Sequence, residues 1–81
     1  AAFPNPVVGE ATLRYDVPSS GVVRVSVYDL LGREVAVLAD GAHGAGRHTA
    51  TLDARALPSG TYVVRLVAGS SVQTQRVTVM R

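Results

Sequence analysis

The chain has 81 residues, no cysteine and a formal net charge of +2 at pH 7. This length predicts a single domain over residues 1–81, and the lack of cysteine excludes disulfide bonds and thiolate metal sites. Fifteen valines, eight glycines and no isoleucine or lysine favour strands over long helices, since valine is stiff at its first side-chain torsion. The composition also excludes a transmembrane span, a coiled coil, a zinc finger and a disordered tail.

The chain opens with a proline-rich segment that contains Pro4, Asn5 and Pro6. Each proline fixes its own φ and pushes the preceding residue towards extended geometry. A rigid extended entry is therefore predicted, with room for a short edge strand over residues 1–4. The first regular strand is predicted over residues 11–17, where apolar and polar residues alternate with a period of two.

A β-hairpin is predicted next, with strands over residues 22–28 and 33–39. Asp29 begins the turn between them and can accept hydrogen bonds from the amides that follow. Gly32 ends the turn and can adopt the positive φ of a bulged hairpin loop. A flexible loop with three glycines is then predicted over residues 40–46.

The second half of the chain continues the same pattern. Residues 47–53, 61–68 and 72–80 are predicted strands, and residues 54–60 are the one stretch that can hold a helical turn. Turn signals recur about every 8–12 residues, which is the spacing of a sandwich. The predicted fold is an all-β, immunoglobulin-like β-sandwich of about seven antiparallel strands in two sheets. Its core is expected to include Leu13, Tyr15, Val23, Val25, Val27, Leu38, Leu52, Leu57, Tyr62, Val64 and Leu66.

One local motif is more specific than the alternation. Leu57, Gly60 and Tyr62 have the spacing of a tyrosine corner, in which a tyrosine at a strand start bonds its hydroxyl to backbone a few residues upstream. Leu57 would pack in the core and Gly60 would allow the bend. The motif is structural and supports the sandwich.

Residues that could carry catalysis are scattered. Most serines lie in predicted turns, and no motif ties them to His43, in the glycine-rich loop, or to His48, at a strand start. Asp29, Asp40 and Asp53 each stand where a turn favours aspartate. We therefore predict that the domain is not an enzyme and has no catalytic residue, no metal site and no cofactor.

The basic residues are dispersed along the chain, and one lies on each of four predicted strands: Arg14, Arg24, Arg65 and Arg76. A nucleic-acid module would group such residues with aromatics on one face, so no nucleic-acid partner is predicted. Only Phe3 and Tyr28 remain outside the predicted core as exposed aromatics, which does not favour a sugar-binding platform.

Four segments, in order, resemble those of a known family. Phe3-Pro4-Asn5-Pro6 resembles its opening Pro-Asn-Pro box, and residues 27–35 resemble its central hairpin. Residues 57–65 resemble its Leu-x-x-Gly-x-Tyr strand, and residues 75–81 resemble its basic and apolar last strand.

Over nearly its whole length the chain resembles the type A C-terminal sorting domain of the type IX (Por) secretion system. It is similar also to the immunoglobulin-like module of flagellar hook-capping proteins. Arg76 and Arg81 stand where the family commonly has lysine.

The resemblance implies a non-catalytic sorting signal that follows a cargo domain in the same chain. The implied partners are the type IX export machinery of the outer membrane and a sortase-like peptidase that removes the signal after export. The implied location is secreted or on the surface of a Gram-negative bacterium, reached through the periplasm, with no insertion of the domain into a membrane. The chain starts without Met, and we expect it to be part of a longer secreted protein.

Recognition is expected to use exposed features, above all a terminal edge strand that pairs with a receptor by β-augmentation. In this interpretation two valines dock on the receptor and two arginines supply ionic specificity. The candidate recognition residues are Pro4, Asn5, Pro6, Arg76, Val77, Val79 and Arg81. The alternative function is an accessory immunoglobulin-like or fibronectin-like module of a multidomain hydrolase, acting as a glycan-binding unit or as a spacer.

Overall fold

The computed structural model of the chain describes residues 7–80. Within them the chain forms seven strands and one 3₁₀ turn, so the predicted all-β sandwich is confirmed. Pro4, Asn5, Pro6, Arg81 and the strand predicted over residues 1–4 lie outside the described residues. The strands are β1 (Val7–Val8), β2 (Glu10–Val17), β3 (Gly21–Tyr28), β4 (Glu34–His43), β5 (Gly46–Asp53), β6 (Gly60–Ala68) and β7 (Ser71–Met80), with the 3₁₀ turn at Ala54–Ala56.

The strands form two sheets, one with the order β1-β7-β6-β3-β4 and one that pairs β2 with β5. β1 is parallel to β7, with Val7 opposite Val79, so the prediction of antiparallel strands is wrong for this pair. The reason lies at Gly9, whose φ of +68° lets the chain pass from the larger sheet into the smaller one. Parallel neighbours need a long connection, and the body of the domain supplies it.

The core lies between the two sheets. On β2 every second residue is buried, as the alternation predicted. All of the expected core residues are buried except Leu38, which packs against the core while remaining partly exposed. The core also contains residues outside the expected list: Val7, Ala11, Val17, Ala50, Ala54, Ala68, Val77 and Val79. Of these, Ala11 and Val17 lie on the apolar face of β2 that the alternation predicted.

β4 departs most from its predicted bounds. It continues through Gly41 to His43, so the predicted loop over residues 40–46 shrinks to a short link before β5. Asp40 is therefore not a turn residue, because it lies in the strand opposite Arg24. The register with β3 shifts twice, once at Leu38 and once at Val35, which leaves two irregularities in this outer strand.

Candidate recognition surface

β7 points its predicted recognition residues in opposite directions. Val77 and Val79 are 0% and 1% exposed and belong to the core between the sheets. Arg76 directly precedes Val77, so it lies on the opposite side of the strand and faces solvent. In the folded domain the two valines are unavailable to a receptor, and the expectation that they dock on one is corrected: they anchor the strand, and Arg76 is left to face outward.

The free edge of β7 is also shorter than expected. At its C-terminal end the strand is flanked by β6 on one side and by β1 on the other, because Val7 pairs with Val79 and Val8 with Met80. A receptor strand cannot add there without displacing β1. Among residues 7–80, the edge from Ser71 to Thr78 has no paired strand.

The outer face of the five-stranded sheet brings three arginines together. Antiparallel register places Arg76 opposite Val63 and Thr74 opposite Arg65. The next strand places Arg24 opposite Val67. Because residues two apart on a strand point to the same face, Arg24, Arg65 and Arg76 all lie on the side of the sheet that faces away from the core.

Arg24 is neutralised on this face. Its guanidinium donates to Glu34 at 2.7 Å and to Asp40 at 2.9 Å, and the Tyr28 hydroxyl donates to Glu34 at 3.2 Å. The hydrogen bond to Glu34, together with its charge, raises the pKa of Arg24. The hydrogen bond from Arg24 lowers the pKa of Glu34. This part of the face is therefore an internally satisfied ionic cluster.

Arg65 and Arg76 are exposed and differ from Arg24 in lacking an ion pair. Within residues 7–80, no carboxylate lies within ion-pair distance of either side chain. Their strands are adjacent, and the register makes the two residues diagonal neighbours. Sequence analysis singled out Arg76 for recognition but not Arg65, because adjacency on a face depends on register rather than on sequence spacing.

The β3–β4 turn has the predicted hydrogen bonds. One oxygen of Asp29 accepts from the backbone amides of Leu31 and Arg33, both at 2.9 Å, and the other accepts from the Arg33 side chain at 2.8 Å. The bond from the Arg33 amide is the main reason that the pKa of Asp29 is lowered. Gly32 has a φ of +82°, the positive value that the turn requires.

The tyrosine corner has the predicted bond as well. The Tyr62 hydroxyl donates to the carbonyl oxygen of Pro58 at 2.6 Å, and Leu57 is buried. Gly60 begins β6 with a φ of +157°, a conformation that other L-residues rarely adopt. The corner fixes the start of β6, whose Tyr62 lies opposite Val77 of β7.

The two histidines meet on Tyr15, which sequence analysis did not foresee. His48 lies opposite Tyr15 in the β2–β5 register, and the ring centroids of His43 and His48 are 4.8 Å apart. The Nδ1 of His43 lies 3.1 Å from the carbonyl oxygen of Gly41, which can only accept a hydrogen bond. In the neutral imidazole the proton is therefore on Nδ1, and Nε2 accepts the Tyr15 hydroxyl at 3.0 Å. Burial raises the pKa of Tyr15. The cluster joins the two sheets.

The described residues give no support for a metal site, a membrane-spanning helix or an aromatic sugar platform. In residues 7–80 no three His, Cys, Asp or Glu side chains come close enough to hold a metal ion. No helix in this range is long and apolar enough to cross a membrane. Tyr28, one candidate for a sugar platform, is only partly exposed and its hydroxyl is bound to Glu34. Phe3 lies outside the described residues.

The seven strands in two sheets define a small all-β sandwich module. The family model described as secretion system C-terminal sorting domain matches residues 1–80, and the chain belongs to this family. No curated protein gives a significant match to the chain.

Domains of this family are C-terminal sorting signals for type IX secretion, and sorting is the function of this chain. The alternative, an accessory module of a hydrolase, is not favoured. Members of the family are non-catalytic in general, and membership implies an export machinery as partner and a secreted or cell-surface protein.

Proposed function

We propose that the export machinery recognises this domain as a folded sandwich, in the periplasm, and carries the attached cargo across the outer membrane. The observation that carries the proposal is the orientation of β7, which buries Val77 and Val79 while Arg76 faces outward. Two core valines stay in place only in the folded domain. A receptor that binds Arg76 in this setting therefore recognises the folded domain rather than the unfolded chain.

Recognition on this view uses Arg76, whose outward orientation leaves the core undisturbed, together with candidate residues that lie outside the described range. Arg76 on β7, Arg81 at the end of the chain and the entry segment Pro4, Asn5 and Pro6 are the proposed address. A sortase-like peptidase then removes the domain, which releases the cargo or leaves it at the cell surface. The 81 residues themselves perform no catalysis, and the cargo provides whatever activity the whole protein has.

The test is a secretion assay in a host that has the type IX system. A periplasmic reporter fused to residues 1–81 is expected in the medium or on the cell surface. The double variant Arg76→Ala with Arg81→Ala is expected to remain in the periplasm while keeping its unfolding midpoint. Arg76 is exposed, and substitutions at exposed positions usually change stability by less than about 0.5 kcal/mol.

Two controls separate recognition from folding. Arg14→Ala with Arg47→Ala removes the same charge from the other sheet and is expected to be exported normally. Val77→Ala is expected to reduce export in proportion to the unfolded fraction. Export of the folded Arg76 and Arg81 double variant at the wild-type rate would show that these residues are not the address.

A further inference from the structure

Some arginines of the domain form ion pairs with carboxylates and others do not. Four arginines are paired with carboxylates: Arg24 with Glu34 and Asp40, Arg33 with Asp29, Arg47 with Asp16, and Arg55 with Asp53. Among the described residues this leaves Arg14, Arg65 and Arg76 outside any ion pair. Arg14 lies on β2, whereas Arg65 and Arg76 lie side by side on β6 and β7. The uncompensated positive charge of the five-stranded sheet is therefore concentrated at one place.

The geometry of that place suits a flat, carboxylate-bearing surface. Diagonal neighbours on adjacent strands are about 7–8 Å apart, within reach of two long side chains. Thr74 and Val63 complete the square around the two arginines. A guanidinium presents a planar fork that binds a carboxylate through two parallel hydrogen bonds. Two such forks, with a hydroxyl and an apolar contact between them, make a small amphipathic docking patch.

The neighbouring ionic cluster determines on which side of the sheet an acidic partner can bind. Arg24 is shared by Glu34 and Asp40, so this cluster has one more negative than positive charge. An acidic partner is repelled from the β3–β4 side of the sheet and attracted to the β6–β7 side. Like-charge repulsion of this kind fixes the register of a complex and rejects misplaced partners.

We propose that the outer face of β6 and β7, centred on Arg65 and Arg76, docks an acidic protein surface that presents carboxylates. This inference rests on the proposed function, since the partner would belong to the export route, and it adds Arg65 to the address. A protein partner fits better than a membrane or a nucleic acid. Polybasic recognition of lipid headgroups uses clusters of about 4–8 basic residues, and nucleic-acid binding uses a dense basic face.

Binding is tested on the 81-residue chain with poly-L-glutamate as the acidic probe. Amide shifts in a ¹⁵N-labelled sample are expected to concentrate around Arg65, Thr74 and Arg76. The double variant Arg65→Gln with Arg76→Gln is expected to weaken binding by about two- to thirtyfold, the effect of losing two exposed charge pairs. The matched variant Arg14→Gln with Arg47→Gln loses the same charge from the opposite face and is expected to change binding less than about twofold.

Three outcomes would overturn the docking patch. Equal weakening in the two double variants would mean that overall charge, not this surface, holds the probe. Shifts centred on other strands would place the site elsewhere. Binding to vesicles of phosphatidylcholine and phosphatidylglycerol, or to inorganic phosphate, without binding to poly-L-glutamate would assign the arginines to phosphate groups instead.

A final arm separates this inference from the proposed function. Arg65→Gln is placed alone in the reporter fusion, with residues 76 and 81 unchanged. Reduced export together with weaker probe binding supports both. Normal export with weaker probe binding keeps the docking patch and overturns its place in the address. A wild-type fusion that stays in the periplasm overturns the proposed function, while the binding result stands by itself.

Discussion

β4 and β7 are both ten-residue strands near opposite edges of the five-stranded sheet, yet they are held very differently. β7 places Val77 and Val79 in the core and has neighbours on both sides at its end. β4 has no fully buried residue, two register irregularities and β3 as its paired neighbour. Equal length and regular backbone pairing therefore do not give equal anchoring, because buried apolar area supplies most of the stability.

The sharpest test of this contrast is to remove two methyl groups from a valine on each strand. Val77→Ala is expected to lower the free energy of unfolding by about 2–3 kcal/mol, from lost burial and the cavity left behind. Val37 on β4 is 46% exposed, so Val37→Ala is expected to cost less than about 0.5 kcal/mol. Chemical denaturation of both variants measures the difference, and similar losses would refute the contrast.

The tyrosine corner supports the β7 side through β6, which gives a second test. Tyr62→Phe removes the bond to the Pro58 carbonyl and is expected to cost about 1–1.5 kcal/mol. Thermal and urea unfolding measure this change. The ring stays in the core in this variant, so an unchanged midpoint would mean that packing alone holds the start of β6.

The β4 side depends on its turn, which gives a third and smaller effect. Gly32→Ala forces a residue with a Cβ to adopt a φ of +82° and is expected to cost about 1 kcal/mol. Nothing lies within 4 Å of the added Cβ, so the cost is conformational rather than a clash. Hydrogen exchange should show faster opening of β4 amides with little change in β7, and uniform acceleration across both strands would contradict this.

Lowering the pH should reduce the stability that the Asp29 turn gives to β4, and this is the smallest of the expected effects. The folded-state pKa of Asp29 is lowered, mainly by the hydrogen bond from the Arg33 amide. Its stabilising contribution is therefore present above the unfolded pKa of about 3.9 and is lost as the pH falls through the folded value. Unfolding measured from pH 5 downwards should be less pH-dependent in Asp29→Asn than in the wild type. Identical pH profiles would show that Asp29 does not couple to folding.

The parts of the fold that sequence analysis predicted are those governed by local pattern. β2 alternates strictly, the Asp29 turn forms its amide bonds, and Tyr62 reaches Pro58, because each depends on residues close in the chain. The central strands β3 and β6 were predicted correctly for the same reason. Local alternation and turn chemistry are enough to define such elements.

The errors arose where long-range register decides. A terminal strand with alternating valines has the same pattern whether those valines face a partner or the core, and Val77 and Val79 face the core. Gly41 suggested a loop, but pairing with β3 extends β4 past it. The meeting of His43 with Tyr15, across 28 residues, has no local signal at all.

Because β1 pairs in parallel with β7, the sandwich can close only when the last strand of the domain is present. Val7 lies against Val79, so the first described strand finds its partner only after almost the whole domain has been synthesised. A chain that stops before Val77 lacks both core valines and leaves β1 without its neighbour. Truncated or clipped products therefore cannot close the sandwich, and a machine that accepts only the closed form would reject cargo whose sorting domain lacks β7.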